Sequence, residues 1–308
     1  GAGTIDFANA RDRPLGGLTN RGLLIADRGS ALSIARTSFF ENEGTLRVAG
    51  IGSSLDIDAV YSFPFPVNRG RIEILDGGRL TIDGVFEQSS GNAYIGSGGS
   101  LDADALLLRG GTLELDGGAL ETSVVHYQGR IEGSGSIDQY LSFCCGSGRT
   151  IAPGIASAPI GRIDLGDSVS LGYTDLELQL GSSQTGPSSD LLSVSGSALF
   201  GGKIQISVLP SFAPERGDRF ELVRVTDFGS AAGDFLDRIR PLLELPAGHD
   251  HPAFAPEVID GAEGRSLVLR ALPKVTADWG GASGAWESPD WSFDRANGGA
   301  PFPNNSDL

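Results

Sequence analysis

The stretch Asn20-Arg21-Gly22-Leu23-Leu24-Ile25 joins an Asn-x-Gly turn to a short apolar strand. The same turn returns at Asn42-Glu43-Gly44 and Asn68-Arg69-Gly70, so that its glycine recurs after 22 and then 26 residues. The strands that follow these two turns read Leu46-Arg47-Val48 and Ile72-Glu73-Ile74, and later copies follow Gly111 (Leu113-Glu114-Leu115) and Gly129 (Ile131). A unit that repeats at a near-constant period of this length indicates a repeat architecture.

A second series of glycines runs in phase with the first. Each of them precedes a Leu or Ile by two or three residues, and the steps between them are 23, 26, 21, 19 and 17 residues. The pairs are Gly29 and Leu32, Gly52 and Leu55, Gly78 and Leu80, Gly99 and Leu101, Gly118 and Leu120, Gly135 and Ile137. Two series in step indicate a coil with at least two short strands per turn.

These patterns predict an all-β fold, a right-handed single-stranded parallel β-helix (solenoid), with stacked coils over roughly residues 15–210. Alternate residues of a strand face the same side, and coils stacked about 4.8 Å apart align inward side chains in columns. One column is expected to contain Leu24, Leu46, Ile72, Leu113 and Ile131, and a second Leu32, Leu55, Leu80, Leu101 and Leu120. An antiparallel sandwich is the alternative, but it would not keep two glycine series in step.

The repeat is not uniform along the chain. Residues 1–150 carry β-helix coils, and residues 151–209 continue them with strands such as Arg162–Leu165 and Leu176–Leu180. Residues 210–273 interrupt the period with prolines around the strands Phe220–Val225 and Ser266–Leu269, which predicts an irregular β cap or excursion. Residues 274–308 contain all three tryptophans and form a Trp/Pro/Asn-rich segment between repeats.

Composition excludes several classes of protein. The net charge is −16 and no basic patch is visible, which argues against a nucleic-acid partner. No run of 18 apolar residues occurs, so we predict no transmembrane segment in this chain. The sequence has 46 glycines without a G-X-Y period, which excludes collagen. It contains no methionine and no signal peptide, which predicts a processed or excised piece of a longer product.

One long stretch resembles the passenger regions of bacterial autotransporters and related β-helical surface proteins. It begins with Ile151-Ala152-Pro153-Gly154 and Gly161-Arg162-Ile163. It continues through Asp190-Leu191-Leu192-Ser193-Val194 to Gly201-Gly202-Lys203-Ile204, and ends with Pro214-Glu215-Arg216-Gly217-Asp218-Arg219-Phe220. The resemblance covers residues 150–225 well and residues 20–140 by general pattern. It implies a structural or adhesive unit of a secreted cell-surface protein, extracellular and associated with the outer membrane, and not an enzyme.

The tail resembles the opening of repeat modules in such proteins. Trp279, Trp286 and Trp291 are followed by Pro303-Asn304-Asn305, and Gly3-Thr4-Ile5-Asp6-Phe7 at the other end reads as the continuation of that opening. The resemblance implies one period of a tandem array, cut out of phase. We therefore expect self-association into a filament or stalk, with residues 274–308 of one unit packed against residues 1–20 of the next. Surface glycans are a further partner class.

A carbohydrate-active enzyme on the same scaffold is the rival hypothesis, because paired carboxylates carry out glycoside hydrolysis. The candidate pairs are Asp56 with Asp58, Asp102 with Asp104, and Asp76 with Asp116, the last two residues each in an Asp-Gly-Gly turn. Acidic residues that alternate with Leu or Ile are expected to face solvent, and Asp-Gly-Gly is a common turn. A cleft lined by three or more carboxylates with a basic residue nearby would favour the rival.

Other groups of residues have side chains that could bind a metal or a sugar or form a disulfide, but a structural interpretation is favoured for each. His249-Asp250-His251 has metal-binding residue types, but it lies in a Pro-rich loop and only His126 adds another imidazole. Cys144 and Cys145 are expected to be one core residue and one surface thiol, with an intermolecular bridge as the alternative. The tryptophans are expected to pack over a solenoid end rather than to bind sugars. We therefore assign no catalytic, cofactor-binding or metal-binding residue and predict no cofactor.

Overall fold

The computed structural model describes residues 2–6, 16–59, 64–143, 147–184, 186–226, 232–246, 253–272, 277–279 and 291–293. Of these residues, 65% lie in strands and 3% in helices, so the protein is all-β. Most strand pairs are parallel and belong to one long sheet of many strands. This arrangement is consistent with a β-helix and excludes the antiparallel sandwich.

The strands are short and follow one another closely. Up to residue 143 they are β1 (Ala2–Asp6), β2 (Leu18–Asn20), β3 (Leu23–Asp27), β4 (Ala31–Thr37), β5 (Phe40–Asn42), β6 (Thr45–Ala49), β7 (Ser54–Ala59), β8 (Val67–Asn68), β9 (Arg71–Leu75), β10 (Arg79–Gln88), β11 (Asn92–Gly96), β12 (Ser100–Leu108), β13 (Thr112–Leu120), β14 (Ser123–His126), β15 (Gly129–Ile137) and β16 (Leu141–Phe143). From residue 149 they are β17 (Arg149–Pro153), β18 (Arg162–Leu165), β19 (Val169–Leu171), β20 (Thr174–Ser183), β21 (Gly186–Ser189), β22 (Leu191–Val194), β23 (Ala198–Phe200), β24 (Ile204–Val208) and β25 (Arg219–Val225).

The strands stack in three parallel ladders, which the chain visits in a repeating order. The first ladder contains β3, β6, β9, β11, β13, β15, β17, β20 and β24. The second contains β1, β4, β7, β10, β12, β13, β15, β18, β22 and β25. The third contains β2, β5, β8, β10, β12, β14 and β16. The sequence patterns predicted the first two ladders and did not show the third.

Both predicted columns are confirmed by the pairing register. Leu24 lies opposite Leu46, and Leu46 opposite Ile72, while Leu113 lies opposite Ile131. Ala93 completes the column between Ile72 and Leu113. The second column runs in register through Leu32, Leu55, Leu80, Leu101 and Leu120. All members are buried except Leu24 and Leu32, which are partly buried and pack against the core from the first coils.

The third ladder adds an apolar column and a buried row of amide side chains. The column contains Phe40, Phe86, Leu106, Val124 and Leu141. Two residues after Phe40 or Phe86 comes an amide, and these amides bond from coil to coil. Asn20 Nδ2 donates to Asn42 Oδ1 (2.7 Å), Asn42 Nδ2 to Asn68 Oδ1 (2.6 Å), and Asn68 Nδ2 to Gln88 Oε1 (2.8 Å). The asparagine of the Asn-x-Gly turn therefore has a structural function in the interior of the stack.

Removing one member of this row should destabilise the protein. In Asn42→Ala, Asn68 Oδ1 loses its donor, Asn20 Nδ2 loses one acceptor, and the bond from Asn42 Nδ2 to Arg71 O (3.0 Å) is lost. Because Asn42 and Asn68 are fully buried, we expect a loss of about 2–4 kcal/mol in the free energy of unfolding. Chemical denaturation measures it, with the exposed neighbour variant Glu43→Ala as the control. Equal stability of the two variants would contradict the interpretation.

On its C-terminal side the parallel stack ends in a short helix and an antiparallel hairpin. There the chain forms α1 (Ala232–Ile239), a 3₁₀ turn (Arg240–Leu242), β26 (Leu243–Glu244), β27 (Phe254–Gly261) and β28 (Gly264–Ala271). β28 pairs antiparallel with β25 and with β27, so a hairpin covers the last strand of the second ladder. β26 covers two residues of β24 in the first ladder. The two predicted strands are present as β25 and β28, whereas the helix was not predicted.

The C-terminal segment is described only in part. β29 (Ala277–Trp279) and β30 (Trp291–Phe293) form an antiparallel pair in which Trp279 lies opposite Trp291. Trp286 and the remainder of residues 274–308 lie outside the described residues. The expectation that this segment packs over a solenoid end therefore stays a prediction.

Candidate functional site

A groove opens on the outer face of the first ladder, where β17 is shorter than its neighbour β20. β17 ends at Pro153 and the chain continues as a loop to Gly161, while β20 runs on to Ser183. Two backbone bonds hold the loop to β15: Gly154 N–H donates to Gly133 O (2.8 Å), and Gly133 N–H to Gly154 O (3.1 Å). The groove has a volume of about 440 Å³, and its polar lining includes Arg130, Glu132, Glu177, Gln179, Asp190 and Gln205.

Two glutamates share one arginine on the floor of this groove. Arg130 Nε lies 2.5 Å from Glu132 Oε2, and Arg130 Nη1 lies 2.8 Å from Glu177 Oε2. The three residues come from β15 and β20, which the stacking brings together across the intervening β17. Burial of Arg130 lowers its pKa, but the hydrogen bonds and charges of Glu177 and Glu132 outweigh this, and the pKa is raised overall. The cluster carries a net negative charge.

Asp190 lies fully buried at one side of the groove and ties three segments together. Its Oδ1 accepts the Gly161 N–H and its Oδ2 accepts the Gln179 N–H, both at 2.8 Å. Its own N–H donates to Gln179 O (2.9 Å). Burial raises the pKa of the Asp190 carboxyl to about 7, although the two N–H groups act in the opposite direction. Asp190 thus fixes the end of the loop that forms the groove wall.

The groove combines three carboxylates with a basic residue, which is the composition expected of a carbohydrate-active protein on this scaffold. Carboxylate and amide side chains can bond the hydroxyls of a polar ligand, and the negative charge disfavours an anionic one. Each glutamate, however, binds Arg130, and each oxygen of Asp190 binds a backbone N–H. The arrangement is suited to hydrogen-bonding a ligand; general acid catalysis would require one of these carboxyls to leave its partner.

The carboxylate pairs singled out in the sequence do not line this groove. Asp56 and Asp104 are exposed and Asp58 and Asp102 half-buried, each alternating with buried residues of β7 or β12. Asp102 Oδ2 accepts a bond from Arg79 Nη2 (2.7 Å), which also binds Glu121 (2.7 Å) on the open face of the second ladder. The interpretation as outward-facing residues is confirmed for these aspartates.

Asp76 and Asp116 are exposed near the corners of successive coils. Asp76 has a φ of 53° in a turn before Gly77, as predicted. Asp116 lies instead within β13, next to a β-bulge, and accepts a bond from the Tyr94 hydroxyl (2.6 Å). This bond raises the pKa of Tyr94 to about 12.

His126 is buried at the end of β14, where its Nε2 lies 3.0 Å from Gly129 O. Burial lowers its pKa to about 4, against the raising effect of that contact. Among the described residues, no group of three or more His, Cys, Asp or Glu side chains is arranged to hold a metal ion. His249, Asp250, His251, Cys144 and Cys145 lie outside the described residues.

No protein-family model and no curated protein matches this chain. In the described part of the chain, no helix has the length and apolar character needed to cross a membrane.

Sequence reasoning missed the groove because its residues are far apart in the chain. Arg130, Glu177 and Asp190 carry no local motif for a binding site. A signal for Asp190 was present: it opens the Asp-x-Leu-x-Val stretch and follows the Pro153-Gly154 and Gly161 turn to which it bonds. That signal indicates a structural contact and not a ligand.

Proposed function

We propose that this chain is a structural or adhesive repeat unit of a secreted bacterial cell-surface protein. Its strands form the coils of a right-handed single-stranded parallel β-helix, and units stack end to end into a stalk or fibre. The observation that carries the proposal is the set of three parallel ladders, whose register continues from coil to coil over most of the chain. The right hand follows from the strong preference of parallel crossover connections.

The tail and head sequences also support this function, because residues 274–308 resemble the opening of a repeat module and Gly3–Phe7 its continuation. We propose that residues 274–308 of one unit cover residues 1–20 of the next, as in a tandem array. The unit would then lie outside the cell, held at the outer membrane by the longer protein of which it is a part.

Electron microscopy of the purified chain at high concentration tests this function. We expect unbranched rods with one repeat per unit, because head-to-tail contacts that do not close into a ring propagate. A population of compact single units at every concentration would contradict the end-to-end function.

A carbohydrate-active or glycan-binding protein is the second candidate, and the groove around Arg130 favours it. Turnover and binding should be measured on a panel of neutral polysaccharides, comparing the wild type with Glu177→Gln. The matched control is Asp102→Asn, because Arg79 binds Asp102 and Glu121 on an open face just as Arg130 binds Glu132 and Glu177 in the groove. Turnover that only Glu177→Gln abolishes would establish an enzyme, and binding without turnover a glycan module. The absence of both binding and turnover across the whole panel would contradict this candidate.

A further inference from the structure

The floor of the groove contains a gap where one small side chain interrupts a column of longer ones. Through β15, β17, β20 and β24 this outward column reads Glu132, Ala152, Glu177 and Gln205. Ala152 lies opposite Glu132 in the register and lines the groove. Because its side chain is a single methyl group, it separates the two glutamates without filling the space between them, and Arg130 reaches across it to bind both.

Each glutamate uses only one of its carboxylate oxygens to bind Arg130. Glu132 Oε2 accepts the Arg130 Nε–H (2.5 Å), and Glu177 Oε2 accepts the Arg130 Nη1–H (2.8 Å). No described residue donates a hydrogen bond to Glu132 Oε1 or to Glu177 Oε1. The two side chains are 24% and 41% exposed, so a ligand in the groove can reach them. The floor therefore presents two carboxylate acceptors that one guanidinium already holds near each other.

The charge of the groove favours a cationic ligand. Two carboxylates and one guanidinium leave one negative charge, and a cleft of one sign concentrates ligands of the opposite sign. An ammonium group, like that of lysine, donates three hydrogen bonds and accepts none. Its bonds to carboxylates are roughly twice as strong as bonds between neutral groups. A protonated amine therefore fits the two free oxygens better than a hydroxyl does.

The rest of the lining is suited to sugar hydroxyls and not to a peptide backbone. The Gln179 side-chain amide and the Ser207 hydroxyl line the groove, and neither has a hydrogen-bond partner in the described part of the chain. A peptide bound as an added strand would need the backbone N–H and carbonyl of Gln179. Both of these groups bind Asp190 instead, at 2.8 and 2.9 Å. This strand edge is thus occupied, while the side-chain amide and hydroxyl remain available.

We propose that the groove binds a glycan built from amino sugars whose amines are free and protonated. The ammonium group of one ring bonds Glu132 Oε1 and Glu177 Oε1, and Gln179 and Ser207 bond hydroxyls of the same glycan. This inference rests on the second candidate function, a glycan-binding protein, and names its ligand. It requires no turnover, and it leaves the end-to-end stalk unaffected because the groove opens on the side of the stack.

Isothermal titration calorimetry of the purified chain with three matched tetrasaccharides tests the proposal. The ligands are the β-1,4-linked tetramers of glucosamine, N-acetylglucosamine and glucose, which differ only in carrying an ammonium, an acetamide or a hydroxyl at carbon 2. The pH is chosen so that the sugar amines are protonated. We expect the glucosamine tetramer to bind at least about tenfold more tightly than the other two, a factor that one hydrogen bond between charged groups supplies.

Variants show whether this preference arises in the groove. Glu177→Gln removes one negative charge at nearly constant size and should reduce the preference to within about threefold. Asp102→Asn is the matched control and should keep the preference, because it removes the same charge from the Arg79, Asp102 and Glu121 cluster outside the groove. Gln179→Ala should weaken all three tetramers by a similar factor, since all three carry the hydroxyls that it bonds. Thermal unfolding checks that each variant is folded.

A preference that survives in Glu177→Gln would place the amine elsewhere on this acidic chain and would contradict the proposal. Tetralysine, which carries its amines on a peptide, should bind more weakly than the glucosamine tetramer. Equal binding of the two would identify a basic peptide as the ligand and overturn the proposal. If the three tetrasaccharides bind equally well, the amino sugar is wrong and the glycan-binding groove stands. If none of them binds, both are wrong.

Discussion

Gly70→Ala should destabilise the protein by about 3 kcal/mol, at the upper end of the usual cost of overpacking. The added Cβ would lie 2.2 Å from Gly44 O, and this obstacle is backbone, which cannot rotate away as a side chain can. Overpacking of a well-packed site costs about 1–3 kcal/mol, and here relief requires two paired coils to separate. Chemical denaturation followed by circular dichroism measures the change.

Gly22→Ala is the matched control, because it is the same substitution at the same turn position, before β3 instead of β9. No described residue lies within 4 Å of its Cβ, so we expect a change in the free energy of unfolding within about 0.5 kcal/mol in dilute solution. Equal losses in the two variants would show that backbone flexibility, and not contact between coils, requires glycine in these turns.

Asp190→Ala should have the second large effect. It removes a fully buried carboxyl and leaves the N–H groups of Gly161 and Gln179 without acceptors, which costs about 1–3 kcal/mol for each group. Asp164→Ala is the control, since Asp164 faces outward and, among the described charged groups, forms an ion pair only with the exposed Arg162. We expect this variant to lose less than about 1 kcal/mol. Loss of the groove wall should accompany the loss of stability, visible as faster amide exchange at Gly161.

The effect of Asp190→Ala should also depend on pH. The folded-state pKa is about 7 and the ordinary value 3.8, so between these values the folded protein binds more protons than the unfolded chain. The contribution of Asp190 to stability therefore falls as pH rises through this window, by up to about 1.4 kcal/mol per pH unit. The variant lacks this term, so its loss relative to wild type should be larger at pH 5 than at pH 8.

His126 has the opposite dependence, because burial lowers its pKa in the folded protein from 6.5 to about 4. Its contribution to the free energy of unfolding therefore increases as the pH rises through this window. His126 is present in both chains, so the difference between wild type and variant isolates Asp190. A loss that does not change between pH 5 and pH 8 would show that the Asp190 carboxyl ionises in the folded protein as it does in water.

The sequence by itself determined the period, the parallel stacking and the first two ladders. Glycine spacing and Leu-x-Ile alternation are local properties, and each coil repeats them, so the register of Leu24 with Leu46 and of Leu32 with Leu55 could be predicted. The outward position of Asp56 and Asp102 followed from the same alternation.

Tertiary structure alone decided the third ladder, the amide row and the groove. The third-ladder strands β5 and β8 have three and two residues, too few to show a period, and their asparagines read only as turn residues. The groove needs Arg130 beside Glu177, which are 47 residues apart and meet only because one coil stacks on another. Asp190 is likewise 29 residues from Gly161 in sequence and 2.8 Å away in space. The distances along the chain between such residues depend on coil lengths that vary, so only the stacked structure brings these side chains into register.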